Sequence, residues 1–242
     1  MMAKISIIIP VYKNYKNLKS NIITFYKYLL TLNLELEIIV VNDGSQMPDG
    51  VCEILERIGC KIIFLDRNYG KGYALTQGVL GVTGDFVIFT DADIPYCYTN
   101  YKDAIIQIMN PLCDIVIGDR TLSSSTYYSK TSLLRSLGSK LFSKIVLGIS
   151  DSPIKDTQCG LKGFKKETAK ALFAKTRITG FAIDVEILYL AKLFSYNICS
   201  IPVQLRDNTE STVKVFKHGI QMIFDLAKIK LFQITKQYND QA

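Results

Sequence analysis

At 242 residues the chain can bury the core of one large domain, and 48% hydrophobic with 21% charged residues is ordinary for a globular protein. A net charge of +7 favours anionic partners (nucleotides, phosphates, nucleic acid or anionic lipid) without choosing among them. Six scattered cysteines with no C-x-x-C pair point to free thiols in a reduced cytosolic setting, and the single His218 argues against a histidine zinc site or a Ser-His-Asp triad. No apolar run reaches the ~18 residues that span a bilayer.

The first apolar stretch is too short for a signal peptide and reads as a strand over Ile5–Ile9, stopped by Pro10. Leu18, Ile22, Phe25, Tyr26 and Leu29 recur at helical spacing within 14–32. A second strand at 36–41 ends in the turn cluster Asn42-Asp43-Gly44-Ser45, then a helix at 52–58 and a strand at 61–65 follow. A glycine-bearing helix at 70–82 leads to a strand at 85–90, and a helix at 100–109 to a strand at 114–117. This alternation predicts parallel strands in an open sheet covered on both faces. Beyond a polar loop at 123–126, Leu134, Leu137, Leu141 and Ile145 mark a helix with Arg135, Lys140 and Lys144 beside it. Helices at 165–173 and 184–194 and a strand at 198–205 precede a tail at 213–234. There, Phe216, Ile220, Ile223, Phe224, Ala227, Leu231 and Ile234 form one stripe bordered by lysines. No linker stands out, so the simplest division is one domain over 1–211 and an amphipathic helix over 212–242.

Candidate chemistry sits at the predicted strand tips. Val87-Ile88-Phe89-Thr90 runs into Asp91-Ala92-Asp93, then Pro95. Residues i and i+2 of an extended segment point the same way, so both carboxylates can share one target, and oxygen ligands at such a tip suit Mg²⁺ or Mn²⁺. The alternative is a polar turn. Asp43 falls on the same sheet edge. Arg67-Asn68-Tyr69-Gly70-Lys71-Gly72 combines charge and glycine before a helix N-terminus, a usable anion site or else a plain helix-entry turn. It lacks the spacing of a Walker loop.

Taken in order, Ile8-Ile9-Pro10-Val11-Tyr12, Val40-Val41-Asn42-Asp43-Gly44-Ser45, the 67–72 loop, Asp91-Ala92-Asp93 and Gly118-Asp119-Arg120 resemble family 2 inverting glycosyltransferases. Asp156-Thr157-Gln158-Cys159-Gly160-Leu161-Lys162-Gly163-Phe164 and Gly180-Phe181-Ala182-Ile183-Asp184-Val185-Glu186 look like the dolichyl-phosphate β-glucosyltransferase branch and its bacterial polyprenyl-phosphate relatives. Arg206 and Glu210-Ser211 match a segment shared with dolichyl-phosphate mannosyltransferases. The resemblance covers nearly the whole chain.

It implies an α/β GT-A (Rossmann-like) fold with a mainly parallel sheet, binding a nucleotide-diphosphate sugar, UDP-glucose preferred. The donor would meet Pro10, Tyr12, Asp43, Asn68, Lys71, Asp91 and Asp93, with Asp91 and Asp93 on a Mg²⁺ or Mn²⁺ ion. A polyprenyl phosphate acceptor would meet Arg120, Arg135, Ser139, Gln158 and Arg206. Asp93, Arg120, Asp156 and Asp184 would serve catalysis. Peripheral attachment to the cytoplasmic membrane face would follow, through the tail helix. The bland readings stand beside these: Asp184 and Glu186 capping a helix, Arg135 a solvated charge, the tail packed on the core. Two departures from the resemblance are Lys13-Asn14, where Asn-Glu is common, and Pro95, where some relatives carry a metal-binding Gln. Two other functions compete: transfer to a hydroxyl of a surface glycan, which needs Asp156 or Asp184 as base, and a basic nucleic-acid-binding module, for which no motif is evident.

Overall fold

The structure is a computed structural model that describes residues 3–126, 154, 156–206 and 215–238, with 215–220 described through the backbone alone. The predicted helix around 134–145, with Arg135 and Ser139, lies outside the described residues. The strands are β1 (Lys4–Val11), β2 (Glu35–Asn42), β3 (Lys61–Phe64), β4 (Phe86–Phe89), β5 (Ile115–Asp119), β6 (Lys162–Lys165) and β7 (Ile198–Pro202). The helices are α1 (Tyr15–Leu30), α2 (Asp49–Arg57), α3 (Lys71–Leu80), α4 (Tyr98–Ile108), α5 (Lys166–Lys175), α6 (Ile183–Leu193) and α7 (Val215–Ile234). Seven strands form one sheet in the order β3-β2-β1-β4-β6-β5-β7.

The apolar runs explain the centre of the sheet. Ile5, Ile7, Ile8 and Ile9 are all fully buried, as a strand covered on both faces requires. Gly78 of α3 lies on Ile8 and Val41, where a Cβ would come within 2.5 Å of Ile8 Cγ2, so that glycine admits the helix to the sheet. On α1 the buried stripe Leu18, Ile22, Phe25 and Leu29 faces inward, and Phe25 packs on Tyr98 and Tyr101 of α4.

Two expectations need correction. Pro10 does not stop the first strand: it pairs in register with Val41, and β1 continues to Val11. The Ile8 carbonyl accepts from Thr90 on the β4 side and the Val11 carbonyl from Asp43 on the β2 side. Alternation therefore aims the missing N–H of Pro10 toward β4, which has already ended at Phe89. The sheet is mainly parallel, as expected, with β6 running antiparallel between β4 and β5. Finally, that strand occupies 162–165, part of it assigned from periodicity to the following helix. Gly163 holds the central place, since a Cβ there would meet Val116 and Ile88 at 2.6 and 2.7 Å.

The tail helix presents two apolar faces. Leu226 and Ile229 pack on Ile178, Ala182 and Val185 as a second, smaller core. Ile223, Phe224, Leu231 and Ile234 are exposed on the other side.

Candidate active site

β1, β2, β4 and β5 point one way, so their carboxyl ends share an edge, and antiparallel β6 brings its amino end there too. That edge gathers Tyr12, Asp43, Asp91, Asp93, Arg120 and the 156–161 segment. Crevices beyond such ends are where α/β sheets bind ligands.

Asp43 leaves β2 buried, which raises its pKa, while the Tyr69 and Gly70 amides work against the rise. Its Oδ1 accepts from Tyr69 N–H at 2.8 Å, and its Oδ2 from Gly70 N–H at 2.9 Å and Asn68 Nδ2 at 2.8 Å. The carboxylate so fixes the 67–70 loop against the β2 tip. Gly44 takes φ +64° there, and a Cβ on it would lie 1.9 Å from the Arg67 carbonyl carbon. Tyr12 is 43% exposed, with Lys13 Nζ 5.0 Å from its ring centroid. The expected anion site at the start of α3 is a correction. The Thr179 carbonyl accepts from Gly72 N–H at 2.7 Å and Tyr73 N–H at 3.2 Å, so the chain itself fills that helix end.

Asp91 and Asp93 share the turn after β4. Burial and then the Asp91 charge push the Asp93 carboxyl from 3.8 to about 6. The Asp91 carboxylate is 40% exposed and meets Lys71 Nζ at 3.0 Å. An ammonium already rests on the Asp91 carboxylate, while burial and the neighbouring negative charge leave Asp93 with a raised proton affinity. Such a pair fits a divalent cation. Among the described residues no group of three or more His, Cys, Asp or Glu is placed to hold a metal. Two carboxylates with phosphate and water completing the shell is the usual pattern for Mg²⁺.

Behind this turn runs a line of buried charge. Lys71 Nζ lies 3.4 Å from Asp184 Oδ2, and Lys162 Nζ lies 2.7 Å from Asp184 Oδ1. Lys162 is 1% exposed and also donates to the carbonyls of Cys159 at 2.6 Å and Thr157 at 3.2 Å. Burial works to raise the Asp184 pKa, but Lys162 and Lys71 outweigh it and hold the carboxylate below its ordinary value. Arg120 grips Asp156 in a fork, Nε to Oδ2 at 2.6 Å and Nη2 to Oδ1 at 2.7 Å, and its amide adds a bond of 2.9 Å. Burial opposes ionisation of Asp156 too, and the Arg120 fork wins, keeping its pKa low. Asp156 and Asp184, expected to serve catalysis, are thus both buried and ion-paired, Asp156 to Arg120 and Asp184 to Lys162 and Lys71. Glu186 caps no helix: it accepts from the amides of Arg177 and Ile178 and from Tyr238 Oη at 2.6 Å.

Gln158 Nε2 is buried and, among the described residues, has no hydrogen-bond partner. Arg206 reaches the acidic turn, donating to the Ile94 carbonyl at 3.2 Å. Arg135 and Ser139 are outside the described residues. Sequence reasoning missed Lys162, Thr179 and Asn21, and also Gly160, where a Cβ would stand 2.1 Å from Asp91 Oδ2. The close approach at Gly160 had a signal in the glycine itself; Asn21, on a polar helix face, had none.

The sequence profile described as Glycosyl transferase family 2 matches residues 6–173. The chain is 32% identical to a dolichyl-phosphate beta-glucosyltransferase of Dictyostelium discoideum, over 93% of this chain and 73% of that one. It is 28% identical to the Homo sapiens protein of the same name, over 96% and 76%. In fold it is similar to glucosyl-3-phosphoglycerate synthase from Mycobacterium tuberculosis, solved with Mn²⁺, UDP-glucose and phosphoglyceric acid. The TM-score is 0.71 at 14% identity, over 94% of this chain and 80% of that one. Mannosyl-3-phosphoglycerate synthase from Rubrobacter xylanophilus gives 0.69 at 15%, over 99% and 76%. The architecture is the α/β GT-A fold that the motif order led us to expect.

Proposed function

Because the chain belongs to glycosyl transferase family 2, we propose that it transfers glucose from UDP-glucose, with inversion, to a polyprenyl phosphate of the dolichyl or undecaprenyl type. The relatives that carry the name dolichyl-phosphate beta-glucosyltransferase support the acceptor class, and the Mn²⁺–UDP-glucose complex of a protein of like fold supports the donor. The observation that carries the reading is the state of Asp156 and Asp184. A hydroxyl acceptor needs a carboxylate base, and both candidates are tied to cations, Asp156 to Arg120 and Asp184 to the buried Lys162. A phosphate oxygen is already anionic near neutral pH and needs alignment instead. Family membership supports an enzyme over the nucleic-acid-binding alternative.

In this reading an acceptor phosphate oxygen bonds to the anomeric carbon from the face opposite the diphosphate, the bond from that carbon to the diphosphate oxygen breaks, and UDP departs. Pro10, Tyr12, Asp43 and Asn68 line the nucleoside side. Asp91, Asp93 and Lys71 face the diphosphate. Bound there, Mg²⁺ or Mn²⁺ offsets the charge that grows on the leaving group. Arg120, Gln158, Arg206, and Arg135 and Ser139 from outside the described residues, hold the acceptor phosphate. The unpartnered Gln158 amide supports an oxygen ligand at that place.

Residues 1–211 form the catalytic unit in this proposal, and 212–242 the membrane-facing helix. Among the described residues no helix is long and apolar enough to cross a membrane. The outward face of α7, with Ile234 70% exposed and Lys228 and Lys230 exposed beside the apolar stripe, supports peripheral attachment to an anionic cytoplasmic face. The test supplies UDP-glucose with a short polyprenyl phosphate or with an oligosaccharide and reads products by mass spectrometry. A glucosyl-phosphoryl lipid is expected; transfer to the oligosaccharide alone defeats the proposal.

A further inference from the structure

We propose that Asn21 of α1 is a positioning residue for the acidic turn, holding Asp93 in place by joining its backbone to Arg206. The inference rests on the reading of Asp91 and Asp93 as cation ligands. Asn21 Nδ2 donates to the Asp93 carbonyl at 3.0 Å and to the Asn17 carbonyl at 2.9 Å, and Oδ1 accepts from Arg206 Nη2 at 2.9 Å. Carbonyls only accept and a guanidinium only donates, so this amide orientation alone satisfies all three. Arg206 continues the clasp: Nη1 donates to the Ile94 carbonyl at 3.2 Å and its amide to the Pro95 carbonyl at 2.8 Å. Its guanidinium carbon lies 4.6 Å from the Tyr98 ring centroid. The three consecutive carbonyls of Asp93, Ile94 and Pro95 are thus all held from outside the turn.

The backbone explains why the turn needs such a clasp. Ile94 is fully buried at φ +47°, a left-handed conformation that a β-branched residue rarely adopts. Such a residue persists only where its surroundings over-determine it, and the arrangement fixes how the two carboxylates face each other. Three distant stretches of chain, around residues 21, 93 and 206, close on one peptide. No bond of Asn21 reaches a reacting atom, so its contribution passes through Asp93.

Manganese titrations followed by electron paramagnetic resonance, with UDP present and no turnover, test the inference on wild type, N21A, N21D and D93A. Asn21→Asp keeps an acceptor for Arg206 but loses the donor to Asp93. Both Asn21 variants are expected to bind Mn²⁺ at least ~10-fold more weakly, the scale typical of residues that orient a metal ligand. UDP affinity without metal should stay within about twofold of wild type, which a general loss of structure would not spare. Wild-type Mn²⁺ affinity in N21D overturns the inference whatever N21A does, including when N21A fails to fold. A lowered unfolding midpoint with unchanged Mn²⁺ affinity also overturns it, leaving Asn21 a mere staple. Wild-type Mn²⁺ affinity in D93A instead removes the underlying reading of the turn, and this inference with it.

Discussion

Replacing Asp184 by Asn separates the two roles open to that carboxylate. The substitution keeps shape and an acceptor for Lys162 but deletes the charge facing two ammonium groups, at 2.7 and 3.4 Å. Lys162, almost wholly inaccessible to water, is left without its counter-ion, while Lys71 retains Asp91. Breaking a buried pair from one side costs about 3–5 kcal/mol. For a chain of this size each kcal/mol moves the unfolding midpoint by roughly 2–4 °C, so a fall of about 6–20 °C is expected by circular dichroism. Adding Lys162→Met should recover part of it, since the orphaned charge is then gone. Initial rates with a short polyprenyl phosphate, taken well below the lowered midpoint, should drop by less than about tenfold. Loss of a general base would instead remove 10²–10⁴-fold, on the order typical of proton-transfer catalysis. A D184N protein with an unshifted midpoint and a rate loss of that larger size would refute the assignment.

The acidic turn makes a pH-dependent prediction. Asp93, raised to about 6, holds its proton more tightly folded than unfolded, so stability of the metal-free protein falls as pH climbs from 3.8 toward 6. A cation requires the ionised form, so the rise in unfolding midpoint produced by Mn²⁺ with UDP should grow over that window; an equal rise throughout would contradict it. Asp93→Ala should abolish transfer with little change in circular dichroism, and substantial turnover by that variant in the presence of chelator would count against the metal role. Gly160→Ala should push Asp91 aside, because the added methyl occupies the carboxylate's place, and so raise KM for the donor at least ~10-fold; an unchanged KM would show that the loop yields instead. Phe224→Ser with Leu231→Ser on the exposed face of α7 should reduce co-sedimentation with anionic vesicles while soluble-substrate rates hold. Unaltered vesicle binding would exclude that face.

What could be read from the chain, and what could not, divides by how local the signal is. β1 and β2 announce themselves as continuous β-branched runs, and the acidic turn is visible because an apolar strand stops at two carboxylates. By contrast, β6 is written Lys162-Gly163-Phe164-Lys165, with no run and no clean alternation. Its place comes from Val116 and Ile88, which leave room only for a glycine between β4 and β5. The same non-locality governs the charges. Nothing near Asp184 reveals that Lys162 will neutralise it, and nothing near Gly72 reveals that Thr179 will occupy the helix end. A motif tells which residues gather at the sheet edge; which carboxylates remain ionisable there depends on cations supplied by distant segments. Burial and the Asp91 charge push Asp93 up to about 6, while Arg120 and the two lysines hold Asp156 and Asp184 low, a division of charge in keeping with the proposed phosphate acceptor.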